Sequence, residues 1–258
     1  MSTVLDRIVA AHRRDAAADA RDLDTLLSEA AGCPSPRPFA EALRGGGVSV
    51  IAEIKRRSPS KGDLAADLDP ATVAEAYEAG GAACLSVLTD VEFFGGSTPD
   101  LQAARAACGL PVLRKDFTVD RRDVADARIM GADAVLLIVA ALDDVELAGF
   151  LDLARSLDLT ALVEVHDARE LARGLAAGAG VVGVNQRDLH TFEVDRQRAA
   201  ELAAAMPADV IRVAESGIAD AADVARLADA GYDAILVGES IVTAPDQAGA
   251  VRSLLATT

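Results

Sequence analysis

Glu53 and Lys55 stand two residues apart in the run Val48–Lys55 (VSVIAEIK), an acid and a base on one side of an extended segment. Ser49 and Ile51 share their parity, whereas the opposite parity (Val48, Val50, Ala52, Ile54) is wholly apolar. The mixed face is therefore the one expected to look into a barrel, and the apolar face the one to pack under helices. A carboxylate and an ammonium brought together out of water perturb each other's proton affinity, which is what acid–base catalysis needs. The run continues into Arg56-Arg57-Ser58-Pro59-Ser60-Lys61-Gly62, so four cations fall within Lys55–Lys61 of a chain whose formal net charge is −16. Local positive charge in a cleft overrides the global sign, so an anionic substrate fits this loop.

The same break in pattern recurs downstream. Leu113-Arg114-Lys115-Asp116-Phe117 places Lys115 on the face of Leu113, and Leu162 shares a face with Glu164. Later apolar runs close on Asn185-Gln186-Arg187, Glu215-Ser216-Gly217 and Gly238-Glu239-Ser240. A lysine partly shielded from water serves as a general acid and a nearby carboxylate as base. Ser216-Gly217-Ile218 and Gly238-Glu239-Ser240 offer small residues and free backbone N–H groups at helix starts, where barrels hold phosphate. A small, phosphorylated substrate is the expectation.

Positioning these groups takes eight short apolar runs, each followed by a helical pattern. They are Val48–Ile54, Ala83–Leu88, Pro111–Leu113, Asp133–Val139, Thr160–Val165, Gly180–Val184, Val210–Ala214 and Asp233–Val237. The alternation predicts an α/β chain with a single (β/α)₈ TIM barrel, and 258 residues match the usual size of about 250. An open doubly wound sheet would want a Gly-x-Gly-x-x-Gly turn after an early strand, and none follows an early strand here. Helices are expected over Pro70–Ala79, Asp143–Leu157 and Ala219–Ala230, with Asp167 capping another. The polar strand ends then meet at the carboxyl-terminal mouth. Residues 1–47 read as an N-terminal helical extension, a lid or cap, and 48–258 as the catalytic barrel. In the extension, amphipathic runs around Leu5, Ile8, Val9 and Leu23, Leu26, Leu27 flank the proline stretch Gly32–Pro38, and Phe39–Leu43 form a short helix.

Composition narrows the function. Hydrophobic residues make up 51% but aromatic ones only 3%, so Ala, Val and Leu must build the core. The acidic balance argues against nucleic acid. Three cysteines without paired spacing argue against disulfides and zinc, and His12, His166 and His190 are too dispersed for a metal site. No apolar run approaches the ~18 residues of a membrane span, no leader pattern opens the chain, and the expected location is cytoplasmic. No obligatory protein partner is predicted.

The chain resembles the indole-3-glycerol phosphate synthase family over nearly all its length. The stretches that carry the likeness are Ile51–Gly62, Ser86–Asp90 with Phe94–Ser97, Pro111–Phe117, Leu136–Ile138, Leu162–His166, Gly183–Leu189, Glu215–Ile218 and Leu236–Glu239. The resemblance implies a carboxy-lyase of tryptophan biosynthesis, acting without metal or organic cofactor on 1-(2-carboxyphenylamino)-1-deoxyribulose 5-phosphate. It implies Lys115 as the acid that activates the ketone and Glu164 as the acid–base residue of dehydration. Lys55 would contact substrate anions, with Glu53 supporting developing positive charge and Asn185 and Ser58 orienting the substrate. Arg187 and Glu215 would join the polar network, Ser216, Gly217, Gly238 and Glu239 would bind phosphate, and Phe93, Phe117 and Leu136 would face the aromatic ring. Departures are Gln186 for a second Asn, Gly95 for a Gln, and Asp120-Arg-Arg-Asp123 for a stretch with a Tyr-Gln pair. The related phosphoribosylanthranilate isomerases resemble it less, because their first strand ends in a catalytic Cys where Lys55 stands here.

Overall fold

A computed structural model of the chain describes residues 3–59, 61–188 and 193–256; Ser60 and His190 of the predicted loops lie outside the described residues. Eight parallel strands close into a barrel in chain order: β1 Ser49–Ile54, β2 Cys84–Leu88, β3 Val112–Lys115, β4 Ala134–Ile138, β5 Thr160–Val165, β6 Val181–Asn185, β7 Ile211–Glu215 and β8 Ala234–Val237. β8 returns to β1 through Ser49↔Ala234 to Ala52↔Val237. Strands β3, β6 and β7 run one or two residues beyond their apolar stretches. Ladder pairs such as Leu88↔Lys115 and Asn185↔Glu215 keep the polar ends in the sheet, which apolarity alone does not mark.

The helices are α1 Val4–Ala18, α2 Leu23–Gly32, α3 Phe39–Ala42, α4 Pro70–Gly80, α5 Thr98–Ala107, α6 Arg121–Ile129, α7 Asp144–Ser156, α8 Ala168–Ala176, α9 Arg198–Ala203, α10 Ala221–Asp229, α11 Glu239–Val242 and α12 Gln247–Leu255. Much of the chain's acidity is spent at their starts. Asp69, Asp120, Asp143, Asp167, Asp220 and Asp246 each accept from a first-turn amide, satisfying donors that have no carbonyl a turn back. In Asp120-Arg-Arg-Asp123 the two aspartates form a reciprocal capping box, so this departure from the family pattern keeps a well-capped helix.

Strand parity sorts the core into two layers. Ile51, Leu113, Leu136, Leu162, Val213 and Leu236 fill the barrel, while Val50, Ala52, Leu137, Val163 and Val182 pack under the helices. Phe39 and Leu43 close the amino-terminal end and are fully buried. The proline stretch is tied to the strand starts: Arg37 donates its backbone N–H to Asp133 and its guanidinium to Leu110 O, each at 2.6 Å.

The other end of the extension reaches the carboxyl-terminal mouth, where Val4, Leu5 and Ile8 of α1 line the cavity. His12 pins that helix. Its Nε2 lies 2.9 Å from Asp90 Oδ2 and 3.8 Å from Asp116 Oδ1, and its ring stacks at 5.4 Å on Phe117. Burial alone would lower the His12 pKa, but the Asp90 hydrogen bond and the nearby aspartate charges outweigh it and raise the value. A raised folded pKa means stabilisation fully present below the unfolded value and lost as pH rises through the folded one. His12→Asn is therefore expected to lower Tm by a few degrees at about pH 6, on the scale of about 1 kcal/mol, with a gap that narrows as pH rises above the ordinary histidine value. A gap that stays constant across that range contradicts the charged pin.

Candidate active site

The barrel filling turns from apolar to ionisable at the carboxyl ends of the strands, where a cavity of about 520 Å³ opens. Its floor carries Glu53 from β1 and Lys55 just after it, Lys115 from β3, Glu164 from β5, Asn185 from β6 and Glu215 from β7. All but Lys55, which follows β1 by one residue, are strand residues on the inward parity, so the ladder fixes their spacing. Lys55 Nζ pairs with Glu53 Oε1. Lys115 Nζ lies 3.2 Å from Glu164 Oε2 and 4.0 Å from Glu215 Oε2. Asn185 Nδ2 donates to Glu164 Oε1 at 3.1 Å, and the Asn185 amide is oriented by the N–H of Arg187, which donates to Oδ1 at 3.0 Å.

These contacts decide the protonation states. Burial alone would lower the Lys115 pKa, but the charges of Glu164, Glu215 and Glu53 hold it above the ordinary lysine value, so it is an ammonium. Burial would raise Glu164, yet Lys115, His166 and Asn185 hold it well below the usual carboxylate range. Glu215 goes the other way, raised first by burial and then by the charge of Glu164. The floor thus holds a fixed cation between an ionised and a proton-retaining carboxylate, the separation of values that lets one site run acid and base steps. Gly183 makes room for it. A Cβ there would collide with Glu215 Oε1, so only glycine lets that side chain lie across β6.

After β7, Ser216 (φ 67°) and Gly217 (φ 73°) both take left-handed backbone, unusual for a serine and characteristic of functional turns. Gln186 braces the strained turn. Its side chain is fully buried and Nε2 donates to Ser216 O at 2.8 Å, which gives the departure from Asn a structural use. After β8, α11 starts at Glu239, and Gly238, Glu239 and Ser240 line the cavity. Ser240 Oγ donates to Ile218 O at 3.3 Å, joining the two loops. Glu239 pairs its side chain with Lys61 Nζ at 2.9 Å.

The walls correct two expectations. Phe93 does not line the cavity; Phe94 does, with its ring 6.3 Å from Phe117. Asp90 Oδ1 accepts from both Phe93 and Phe94 N–H, winding the loop so that the second ring faces inward. Of the four loop cations, only Lys55 and Lys61 face the cavity. Arg56 is spent on Asp100 and on Ala66 and Leu68 carbonyls, and Arg57 on Val91 and Glu92 carbonyls, as staples of the loop. Ser58, Phe117, Leu136 and Arg187 line the cavity. Sequence reasoning gave no role to Phe94 or His166, although His166 follows Glu164 by two residues on the same parity.

The sequence profile of the family described as indole-3-glycerol phosphate synthase matches residues 5–254. Indole-3-glycerol phosphate synthase of Micrococcus luteus is 53% identical over 255 residues, covering 95% of each chain. That of Mycolicibacterium vanbaalenii is 51% identical over 256 residues, covering 98% of this chain and 94% of the relative. Among solved structures, the thiamine phosphate pyrophosphorylase from Pyrococcus furiosus superposes with a TM-score of 0.61 at 17% identity, over 83% of this chain and 96% of that one, a likeness of fold alone. No helix among the described residues is long and apolar enough to cross a membrane.

Proposed function

The chain belongs to the indole-3-glycerol phosphate synthase family, and from that premise we propose how its residues divide the reaction. The enzyme is a carboxy-lyase of tryptophan biosynthesis that forms indole-3-glycerol phosphate. Its substrate, 1-(2-carboxyphenylamino)-1-deoxyribulose 5-phosphate, loses carbon dioxide and water. Since a carboxylate leaves as neutral CO₂, one proton is taken up per turnover.

In this reading the phosphate sits against the backbone of Ser216, Gly217, Gly238 and Glu239, and the aromatic ring against Phe117, Leu136 and Phe94. Lys115 donates a proton to the ketone oxygen as the anthranilate carbon attacks, forming the new C–C bond. Glu53 and Glu164 stabilise the positive charge that develops on the ring system, and electron flow from the breaking C–COO⁻ bond then discharges it. Glu164 next carries the proton of dehydration: it takes the proton from the carbon beside the ring nitrogen and passes it to the leaving hydroxyl, so the C–H and C–O bonds break, water leaves and the C=C bond of the indole forms. Lys55 and Arg187 attract the substrate's anions, while Asn185 and Ser58 orient it. The observation that carries the assignment is the 3.2 Å approach of Lys115 to Glu164 on the floor of one cavity. The cytoplasm is the compartment proposed, in keeping with the unpaired thiols Cys33, Cys84 and Cys108.

The phosphate placement has its own test. Aspartate tolerates left-handed backbone better than most residues, so Ser216→Asp is expected to keep the turn. Its charge would repel the phosphate and raise KM by roughly tenfold or more with a smaller effect on kcat. An unchanged KM would remove phosphate from that loop.

A further inference from the structure

His166 continues β5 on the inward parity of Leu162 and Glu164. Glu170 of α8 clamps its outer side: one carboxylate oxygen accepts from the His166 backbone N–H at 2.8 Å and lies 3.0 Å from Nδ1. Asp167, the cap of α8, accepts from Glu170 N–H at 2.8 Å, so the helix start fixes the clamp. The opposite nitrogen then faces the barrel. Nε2 is buried, has no aligned hydrogen-bond partner, and stands 3.3 Å from Glu164 Oε1. The catalytic and substrate-binding roles assigned above do not use it.

Two buried carboxylates compete for a proton beside Lys115, and their surroundings are unequal. Glu164 has Lys115 at 3.2 Å and a hydrogen bond from Asn185; Glu215 has Lys115 only at 4.0 Å, and its Oε1 has no hydrogen-bond partner among the described residues. His166 adds a second cation to Glu164. Burial would lower the imidazole, but Glu164 and Glu170 outweigh it and push the value up to about 10, so it is protonated at neutral pH. The other charged groups facing the carboxylates are Lys115 from β3 and the Glu53–Lys55 pair from β1.

We propose that His166 is a positioning residue acting through Glu164: seated by Glu170, it holds its Nε2 edge 3.3 Å from Glu164 and so assigns the proton shared by the two carboxylates to Glu215. The inference rests on the reading of Glu164 as the ionised base of the site. Without the imidazolium, Glu164 holds its proton to higher pH and the two carboxylates become harder to tell apart.

The test is the pH dependence of kcat between about pH 5 and 9 for the unaltered enzyme, His166→Gln and Glu170→Gln. His166→Gln is expected to leave KM within about twofold and to move the acid limb of kcat up by about one unit. Glu170→Gln, which loosens the clamp but keeps the imidazole, should move it the same way by less. Acid limbs superimposable on that of the unaltered enzyme overturn the proposal. Should His166→Gln fail to fold, the carboxyl ¹³C titration of glutamate-labelled unaltered enzyme decides. Glu215 retaining its proton to higher pH than Glu164 supports the assignment, and the reverse order overturns it. An inactive Glu164→Gln beside an unshifted His166→Gln removes this inference alone, whereas a fully active Glu164→Gln removes the base reading beneath it.

Discussion

Lys115→Ala is expected to lower kcat by roughly 10²–10⁴-fold, the scale on which a positioned acid contributes, or at least about 2.7 kcal/mol of barrier. The expectation follows from what surrounds Nζ. Glu164, Glu215 and Glu53 keep it charged, and it sits on the floor of the cavity with its proton available to a bound ketone. Loss of the ammonium also leaves two buried carboxylates without their shared cation, and they will compensate by taking up a proton. Lys115→Arg separates the two roles. Arginine keeps the charge but does not surrender a proton near neutral pH, so it should restore stability without restoring turnover. A near-normal kcat in either variant takes Lys115 out of the proton path.

Glu164→Gln should cost a comparable factor, roughly 10²–10⁴-fold in kcat. The amide keeps the size of the carboxylate and can still accept from Asn185, so the site geometry survives while the charge does not. Lys115 then loses its nearest anion at 3.2 Å, and Glu215 at 4.0 Å inherits it. Steady-state turnover followed by indole fluorescence measures the loss. A residual activity above about one tenth would assign the dehydration protons to another group.

The floor of this site was legible because strand parity is unforgiving. A polar residue two positions from an inward apolar one must also point inward, which placed Glu53 beside Ile51 and Lys115 beside Leu113 before any coordinates. The wall was less legible. Whether Phe93 or Phe94 turns inward depends on Asp90 hooking both amides, a loop geometry without periodicity. The basic loop read as four cations fit for an anionic substrate, yet Arg56 and Arg57 are consumed by Asp100 and by backbone carbonyls. Composition reports charge and not where it is spent. His12 read as one of three scattered histidines, and only the return of α1 to the mouth brings it to Asp90 and Asp116, donor atoms within 4.8 Å of one another. Arg114 and Thr89 already donate to Asp116, which makes the cluster a tether for the roof.

Gln186 and Gly183 teach a related lesson. Neither carries chemistry, yet one braces the left-handed Ser216 and the other clears space for Glu215. Positions of this kind are invisible to a search for acids and bases, because their contribution lies in what they hold or leave empty.

The central claim is that one mouth runs two acid–base stages with different residues, Lys115 for ring closure and Glu164 for dehydration. Release of CO₂ and formation of indole, measured side by side in single turnovers of Lys115→Ala and Glu164→Gln, test it most directly. The account predicts that Glu164→Gln releases CO₂ ahead of indole and accumulates a closed, undehydrated intermediate, while Lys115→Ala is slow in both from the start. Parallel loss of CO₂ and indole in both variants would contradict it.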